Sequence, residues 1–79
     1  MKELYCEKSY RDGKLRSVCY YKDETKQKLH REDGPANIFY YSNGNVENEE
    51  YYKDGVRHRV DGPVAIYYYK NGKIHYIVS

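Results

Sequence analysis

A six-residue block occurs twice in this chain at a spacing of 28, and nothing else constrains the fold as tightly. His30-Arg31-Glu32-Asp33-Gly34-Pro35 returns as His58-Arg59-Val60-Asp61-Gly62-Pro63, and each copy leads into an aromatic run and an Asn-Gly pair. Ile38, Tyr40, Tyr41, Asn43 and Gly44 are matched in order by Ile66, Tyr68, Tyr69, Asn71 and Gly72. Self-similarity at such a period marks stacked supersecondary units, none of which can bury its apolar face alone. The 79 residues are therefore expected to form one domain. Residues 1–29 are expected to be a degenerate first repeat that caps the stack, 30–57 a repeat, and 58–79 a truncated repeat.

Four dipeptides punctuate the chain: Asp12-Gly13, Asn43-Gly44, Asp54-Gly55 and Asn71-Gly72. Asp-Gly and Asn-Gly between Tyr-, Val- and Ile-rich runs predict type I′ hairpin turns, because both central residues take positive φ. No window shows a helical period. The expected class is all-β, a single elongated antiparallel meander of repeated hairpins with about six to eight short strands. Two-residue turns would set the register. Around Asp12-Gly13 they pair Tyr10 with Leu15, Lys8 with Ser17 and Cys6 with Cys19. The same rule pairs Tyr41 with Val46 and Tyr40 with Glu47, and then Tyr69 with Ile74, Tyr67 with Tyr76 and Ile66 with Ile77. Around Asp54-Gly55 it sets Tyr51 opposite His58 and Glu50 opposite Arg59. The Asp-Gly-Pro blocks read as corners between repeats, since proline has no N–H for a ladder and glycine takes conformations closed to other residues.

Leu, Ile, Val and Phe fall below about a fifth of the chain, a level at which disorder becomes a live reading. Twelve tyrosines and a net charge of only +2 argue for a folded sheet instead. So small a charge disfavours a general electrostatic hold on nucleic acid or an anionic membrane, and neither is expected as a partner. The N-terminus runs from Met1-Lys2-Glu3 into a charged strand with no signal-peptide core, so the cytoplasm is the expected location.

The repeat pattern, His-Arg-x-Asp-Gly-Pro, aromatic strand, Asn-Gly, strand, Tyr-Tyr-Lys-Asp-Gly, resembles the MORN-repeat variant (membrane occupation and recognition nexus). The resemblance covers residues 9–79 and is best over 30–79. It implies an antiparallel sheet of successive hairpins and a protein-binding role, with neutralisation of a toxin or nuclease among the activities of members labelled as antitoxins. The regular Gly-x-Gly pattern of eukaryotic repeats is absent, which counts against lipid binding, and the motif brings no catalytic residues.

His30, His58 and His75 invite a metal or catalytic reading, but equivalent positions in successive repeats form a ladder, whereas zinc needs ligands converging at about 2.0–2.3 Å. No metal, cofactor or enzymatic activity is expected. Cys6 and Cys19, grouped with Leu4, Tyr10 and Leu15, are expected to be reduced thiols, although the expected register would put them within disulfide reach. Tyrosines adjacent in sequence must occupy both faces of the sheet. Either they cover one another across strands, or one face awaits a partner. The last strand, with Ile74, His75, Tyr76, Ile77 and Val78, is expected to be an apolar sheet edge of the kind that adds a partner's strand.

The residues expected to bind protein are Tyr40, Glu47, Glu49, Glu50, Tyr51, Arg57, Tyr68, Ile74 and Tyr76. The expected function is a non-enzymatic protein-binding module, specifically a small inhibitor of antitoxin or anti-defence (anti-CRISPR) type that blocks a nuclease, toxin or other nucleic-acid-acting enzyme. In that reading Tyr anchors fill a pocket and the three glutamates imitate phosphates. The alternatives are a self-assembling structural repeat joined through the C-terminal edge as a homo-oligomer and, third, a membrane-lipid-surface role.

Overall fold

The computed structural model describes residues 5–79, so Leu4 and the start of the chain lie outside the described residues. Eight strands follow in order: β1 (Tyr5–Arg11), β2 (Lys14–Tyr21), β3 (Asn37–Tyr40), β4 (Val46–Glu50), β5 (Tyr52–Lys53), β6 (Val56–Arg57), β7 (Ala65–Tyr68) and β8 (Ile74–Val78). Six of them form one antiparallel sheet in the order β1-β2-β3-β4-β7-β8, and β5-β6 is a separate small hairpin. The all-β meander expected from the repeats is thus the fold. Three long hairpins make the sheet, and the two His-Arg-x-Asp-Gly-Pro blocks turn the chain between them.

The four turns are of two kinds. Asp12 and Gly13 (φ 52° and 78°) and Asp54 and Gly55 (φ 53° and 82°) are the expected pairs with both residues at positive φ. At the Asn-Gly positions only Gly44 (φ 92°) and Gly72 (φ 93°) are left-handed. There the loop has three residues: Gly44 N–H donates to the Tyr41 carbonyl at 3.0 Å, and Tyr41 N–H to the Asn45 carbonyl at 2.8 Å. This is a type I turn closed by a left-handed glycine. The reason lies in the asparagine, whose Oδ1 accepts a backbone N–H two residues on (Asn45 to Asn43, Lys73 to Asn71, both 2.9 Å).

Each long hairpin also carries one bulge at the same place. The pairs flanking it are Ser9↔Ser17 and Tyr10↔Leu15, Phe39↔Asn48 and Tyr40↔Val46, and Tyr67↔Tyr76 and Tyr68↔Ile74. The extra residue is Arg16, Glu47 or His75. Loops and bulges together correct the expected register. Tyr10↔Leu15, Tyr67↔Tyr76 and Ile66↔Ile77 stand as expected. Lys8 instead faces Val18, Cys6 faces Tyr20, and Cys19 faces Glu7. Tyr40 takes Val46, leaving Glu47 unpaired, and Tyr68 takes Ile74. The two thiols are therefore not opposed, and both are free.

Alternation along the strands assigns the faces. One face carries Cys19, Asn37, Glu50, Ala65 and Val78 in one row and Ser17, Phe39, Asn48, Tyr67 and Tyr76 in the next. The opposite face carries Val18, Ile38, Glu49, Ile66 and Ile77. The core is thin: Val18, Ala36 and Ala65 are its buried apolar residues, and none of the large side chains described is fully buried. Buried polar groups are held accordingly. Cys19 Sγ lies 3.1 Å from Asn37 Oδ1, and burial pushes that thiol up from its ordinary range. Cys6 is exposed. Iodoacetamide at pH 8 is therefore expected to modify Cys6 well before Cys19, as mass spectrometry of timed aliquots would read.

Candidate functional site

The two corners share one construction. Arg31 lies 4.0 Å over the ring of Tyr20 and Arg59 lies 4.0 Å over the ring of Tyr51. Each guanidinium also donates back to its own corner, Arg31 Nη1 to the Pro35 carbonyl at 3.2 Å and Arg59 Nη1 to the Pro63 carbonyl at 3.1 Å. Gly34 and Gly62 sit beneath the guanidinium: a Cβ on Gly62 would come within 2.6 Å of Arg59 Cζ, and one on Gly34 within 3.0 Å of Arg31 Cζ. Neither glycine has positive φ. They are required for close approach, not for the unusual backbone expected from the sequence. His30 belongs to the same construction, its buried Nδ1 accepting the Asp54 N–H at 3.1 Å.

The acidic run is consumed inside the molecule. Glu47 Oε1 receives Arg16 Nη1 at 2.9 Å, which joins two bulge residues of neighbouring hairpins. Both side chains are 36% exposed, so the pair contributes no more than about 1 kcal/mol. Glu49 Oε1 accepts the Tyr68 hydroxyl at 2.6 Å. Glu50, whose side chain is 12% exposed, accepts from Asn37 Nδ2 at 2.7 Å and from Arg57 Nη2 at 2.8 Å. The expected Glu50–Arg59 pair is thus replaced by Glu50–Arg57. Glu50 sits between Asn37 and Ala65 in the sheet, its carbonyl accepting the Ala36 N–H at 2.8 Å while Tyr51 N–H donates to the Val64 carbonyl at 2.8 Å, and β5 leaves the sheet just beyond.

Burial first, and then the bond to Glu49, raise the Tyr68 phenol to about 12. A raised acid pKa means that the folded protein keeps a proton that the unfolded chain releases near its ordinary value of about 10. Stability from this group is complete below pH ~10 and falls as pH rises toward ~12. Urea melts at pH 9 and pH 11 are expected to show a larger loss for the native protein than for Tyr68→Phe.

Glu49 and Glu50 lie in β4 with the partners just given, and the structure distributes the other seven candidate residues over three places. Tyr40 and Glu47 border a hollow of about 310 Å3 near the hairpin tips, beside Arg11, Lys14 and Lys70. Tyr51 borders a second hollow of about 480 Å3 between the two corner blocks, and Arg57 is anchored to Glu50 beneath the small hairpin. Tyr68, Ile74 and Tyr76 come together on the C-terminal hairpin. There the exposed apolar surface concentrates: Ile74 is 58% exposed, Ile77 54%, and Tyr69 and Tyr76 49% each. Tyr67 stacks on Tyr76 at 4.5 Å, and His75 stacks on Tyr69 at 4.3 Å and meets Tyr76 edge-on at 5.0 Å. The result is a continuous aromatic platform on one face and an isoleucine pair at the β8 edge.

Ile77, Tyr69 and Tyr67 are absent from the nine residues expected to bind protein, although the sequence places Ile77 on the apolar last strand. Strand alternation was the available signal for Ile77. For the His75–Tyr69 contact no signal existed, since the bulge is what brings them together. Among the described residues no cluster of metal-ligating side chains occurs, and no helix is long and apolar enough to cross a membrane.

Compared with protein-family models, the chain matches the one described as MORN repeat variant over residues 2–23, 37–54 and 64–79, more than half of its length. No curated protein and no solved structure matches it.

Proposed function

Because this chain belongs to the MORN repeat variant family, we propose that it is a non-enzymatic repeat module that binds protein through its C-terminal hairpin. The observation that carries this reading is β8. It is an edge strand with free backbone groups along one side, and it bears exposed Ile74, Tyr76 and Ile77. Such an edge is a template for an added strand, with backbone bonds supplying affinity and alternate side chains supplying specificity. Tyrosines beside it supply large, stiff contact area of the sort that anchors interfaces.

Within that class the narrower reading is a small inhibitor that sterically occludes a nucleic-acid-acting enzyme, and its support is the resemblance to a family that includes members labelled as antitoxins. Occlusion would come from the apolar hairpin. Glu47, Glu49 and Glu50 already have partners within the chain, so imitation of phosphates has little support.

Capture from host extract with the tagged protein, run beside Ile74→Lys/Ile77→Lys, tests the surface. Both positions are more than half exposed, so the substitutions are expected to shift stability by no more than about 0.5 kcal/mol each. Retention of the principal partner is expected to fall at least tenfold, with an unchanged far-UV spectrum. Equal retention by the two proteins would remove the C-terminal hairpin from the binding surface. A retained partner whose nuclease or related activity is unaffected by the protein would remove the inhibitor reading.

A further inference from the structure

The fold contains one filled receptor for a hairpin tip. Four groups around His30 hold the Asp54-Gly55 turn. His30 Nδ1 accepts the Asp54 N–H (3.1 Å) and the Leu29 carbonyl accepts the Gly55 N–H (2.9 Å). Arg31 N–H donates to the Tyr52 carbonyl (3.2 Å), and Lys22 Nζ pairs with the Asp54 carboxylate (2.8 Å). Together these read a short hairpin tip of the sequence Tyr-Lys-Asp-Gly through its backbone and its one carboxylate.

Repeat symmetry builds the same receptor again one step along the sheet. His30, Leu29 and Arg31 correspond to His58, Arg57 and Arg59, and Lys22 corresponds to Lys53. The hydrogen bond that orients the first corner, His30 N–H to the Tyr20 carbonyl (3.0 Å), recurs as His58 N–H to the Tyr51 carbonyl (3.1 Å). The Arg-over-Tyr stacking recurs at the same 4.0 Å. The backbone and the stacked arginine of the second corner therefore repeat those of the first. His30 is buried, however, whereas Lys53, Arg57 and His58 are exposed. Among the described residues the His58 ring, the Arg59 N–H and the Lys53 ammonium have no hydrogen-bond or ion-pair partner. The Arg57 carbonyl faces away from β5, as in any non-hydrogen-bonded pair of a hairpin. Lys53, His58 and Arg59 border the open hollow of about 480 Å3.

The chain carries one further tip of matching design. Tyr10-Arg11-Asp12-Gly13 repeats Tyr52-Lys53-Asp54-Gly55 with one conservative change, and its turn angles (52°, 78°) match those of the bound tip (53°, 82°). The N–H groups of Asp12 and Gly13 have no partner among the described residues. Tyr10 sits opposite Leu15 in the position that Tyr52 holds opposite Arg57, so its carbonyl points off the free edge of β1.

We propose that the corner formed by Lys53, Arg57, His58 and Arg59 is a receptor for the Asp12-Gly13 tip of a second copy of this chain. His58 and the Arg57 carbonyl accept its two turn N–H groups, Arg59 N–H donates to its Tyr10 carbonyl, and Lys53 pairs with Asp12. Tip and receptor belong to different repeats, so the contact is heterologous and propagates head to tail. It makes no use of Ile74 or Ile77 and is independent of the partner surface proposed above.

Sedimentation equilibrium from micromolar to millimolar concentration tests it on four forms of the full chain: native, Asp12→Lys, Lys53→Asp and the two combined. The native protein is expected to self-associate reversibly. Each single substitution opposes like charges and is expected to weaken association at least tenfold, while the combined charge swap restores it to within a few-fold of native. Lys53 is the exposed residue of β5, and the far-UV spectrum of Lys53→Asp reports whether it is folded even if Asp12→Lys strains its turn. A native protein that stays monomeric throughout overturns the proposal. So do single substitutions without effect, or a double substitution as weak as the singles. Ile74→Lys/Ile77→Lys is expected to associate like the native chain, so the two surfaces are separated by one further run.

Discussion

Arg31→Ala is expected to lower stability by about 2–4 kcal/mol, the sum of a partly desolvated cation–π contact and a charged hydrogen bond to a carbonyl. Its side chain is 23% exposed, lies 4.0 Å over Tyr20 and reaches the Pro35 carbonyl at 3.2 Å. In a domain of this size that corresponds to a Tm lower by roughly 10–20 °C. Arg31→Lys is the sharper form of the test. An ammonium can approach a ring or a carbonyl, but it has no planar fork with which to do both, so lysine is expected to recover less than half of the loss. Gly62→Ala probes the same lock from beneath at the second corner. A methyl 2.6 Å from Arg59 Cζ must push the guanidinium off Tyr51, with an expected cost of about 1–3 kcal/mol. Thermal melts followed by far-UV circular dichroism read all three. If Arg31→Ala melts within 3 °C of native, the stacked arginine is a surface decoration and the corners are held by the backbone alone.

Glu50→Ala is expected to cost about 2–4 kcal/mol, because breaking a mostly buried polar pair leaves its partners uncompensated. Here Asn37, itself buried, loses its 2.7 Å acceptor, and Arg57 loses its 2.8 Å carboxylate. Arg57 is 39% exposed and can turn to water, which limits its share of the loss. Glu50→Gln keeps an acceptor for Asn37 and is expected to cost about half as much. In a double-mutant cycle, Arg57→Ala alone is expected to be the mildest of the set. A coupling between the two positions below about 0.3 kcal/mol would show that Glu50 acts through Asn37 only. The outcome also bears on function. A glutamate whose removal loosens the joint between β3, β4 and the small hairpin is structural, and charge reversal at this position cannot be read as a binding result.

Much of the architecture is legible in the sequence, because the information is local and repeated. The Asp-Gly pairs at 12–13 and 54–55 dictate their own turns, and two copies of one block imply corners of one design. Tyr67↔Tyr76 and Ile66↔Ile77 came out in register for an instructive reason. The three-residue loop shifts the C-terminal hairpin one way, and the bulge at His75 shifts it back. Near the tip, where only the loop has acted, the expectation of Tyr69 opposite Ile74 failed. In the first hairpin, with a two-residue turn and the bulge at Arg16, the inner pair was right and the outer pairs were displaced, so the two cysteines never meet.

The candidate surface was legible only in part, since a strand reveals which residues alternate but not which neighbours claim them. The sequence offers Glu47, Glu49 and Glu50 as a binding run and also sets Glu50 against Arg59, yet they are held by Arg16, Tyr68, and Arg57 with Asn37. Arg16, Tyr68 and Asn37 come from other strands 31, 19 and 13 residues away, which no local rule reaches. Arg57 lies only seven residues on, close to the expected Arg59.

By itself the sequence determined the repeat, the hairpin plan, the corner positions and the apolar character of the last strand, all consequences of backbone chemistry within a few residues. Tertiary structure alone decided where the bulges fall, which charges neutralise one another, why two glycines must lack a side chain, and which corner keeps its histidine exposed. These depend on how one hairpin lies against the next, where contact distances of a few ångströms are set by packing across repeats.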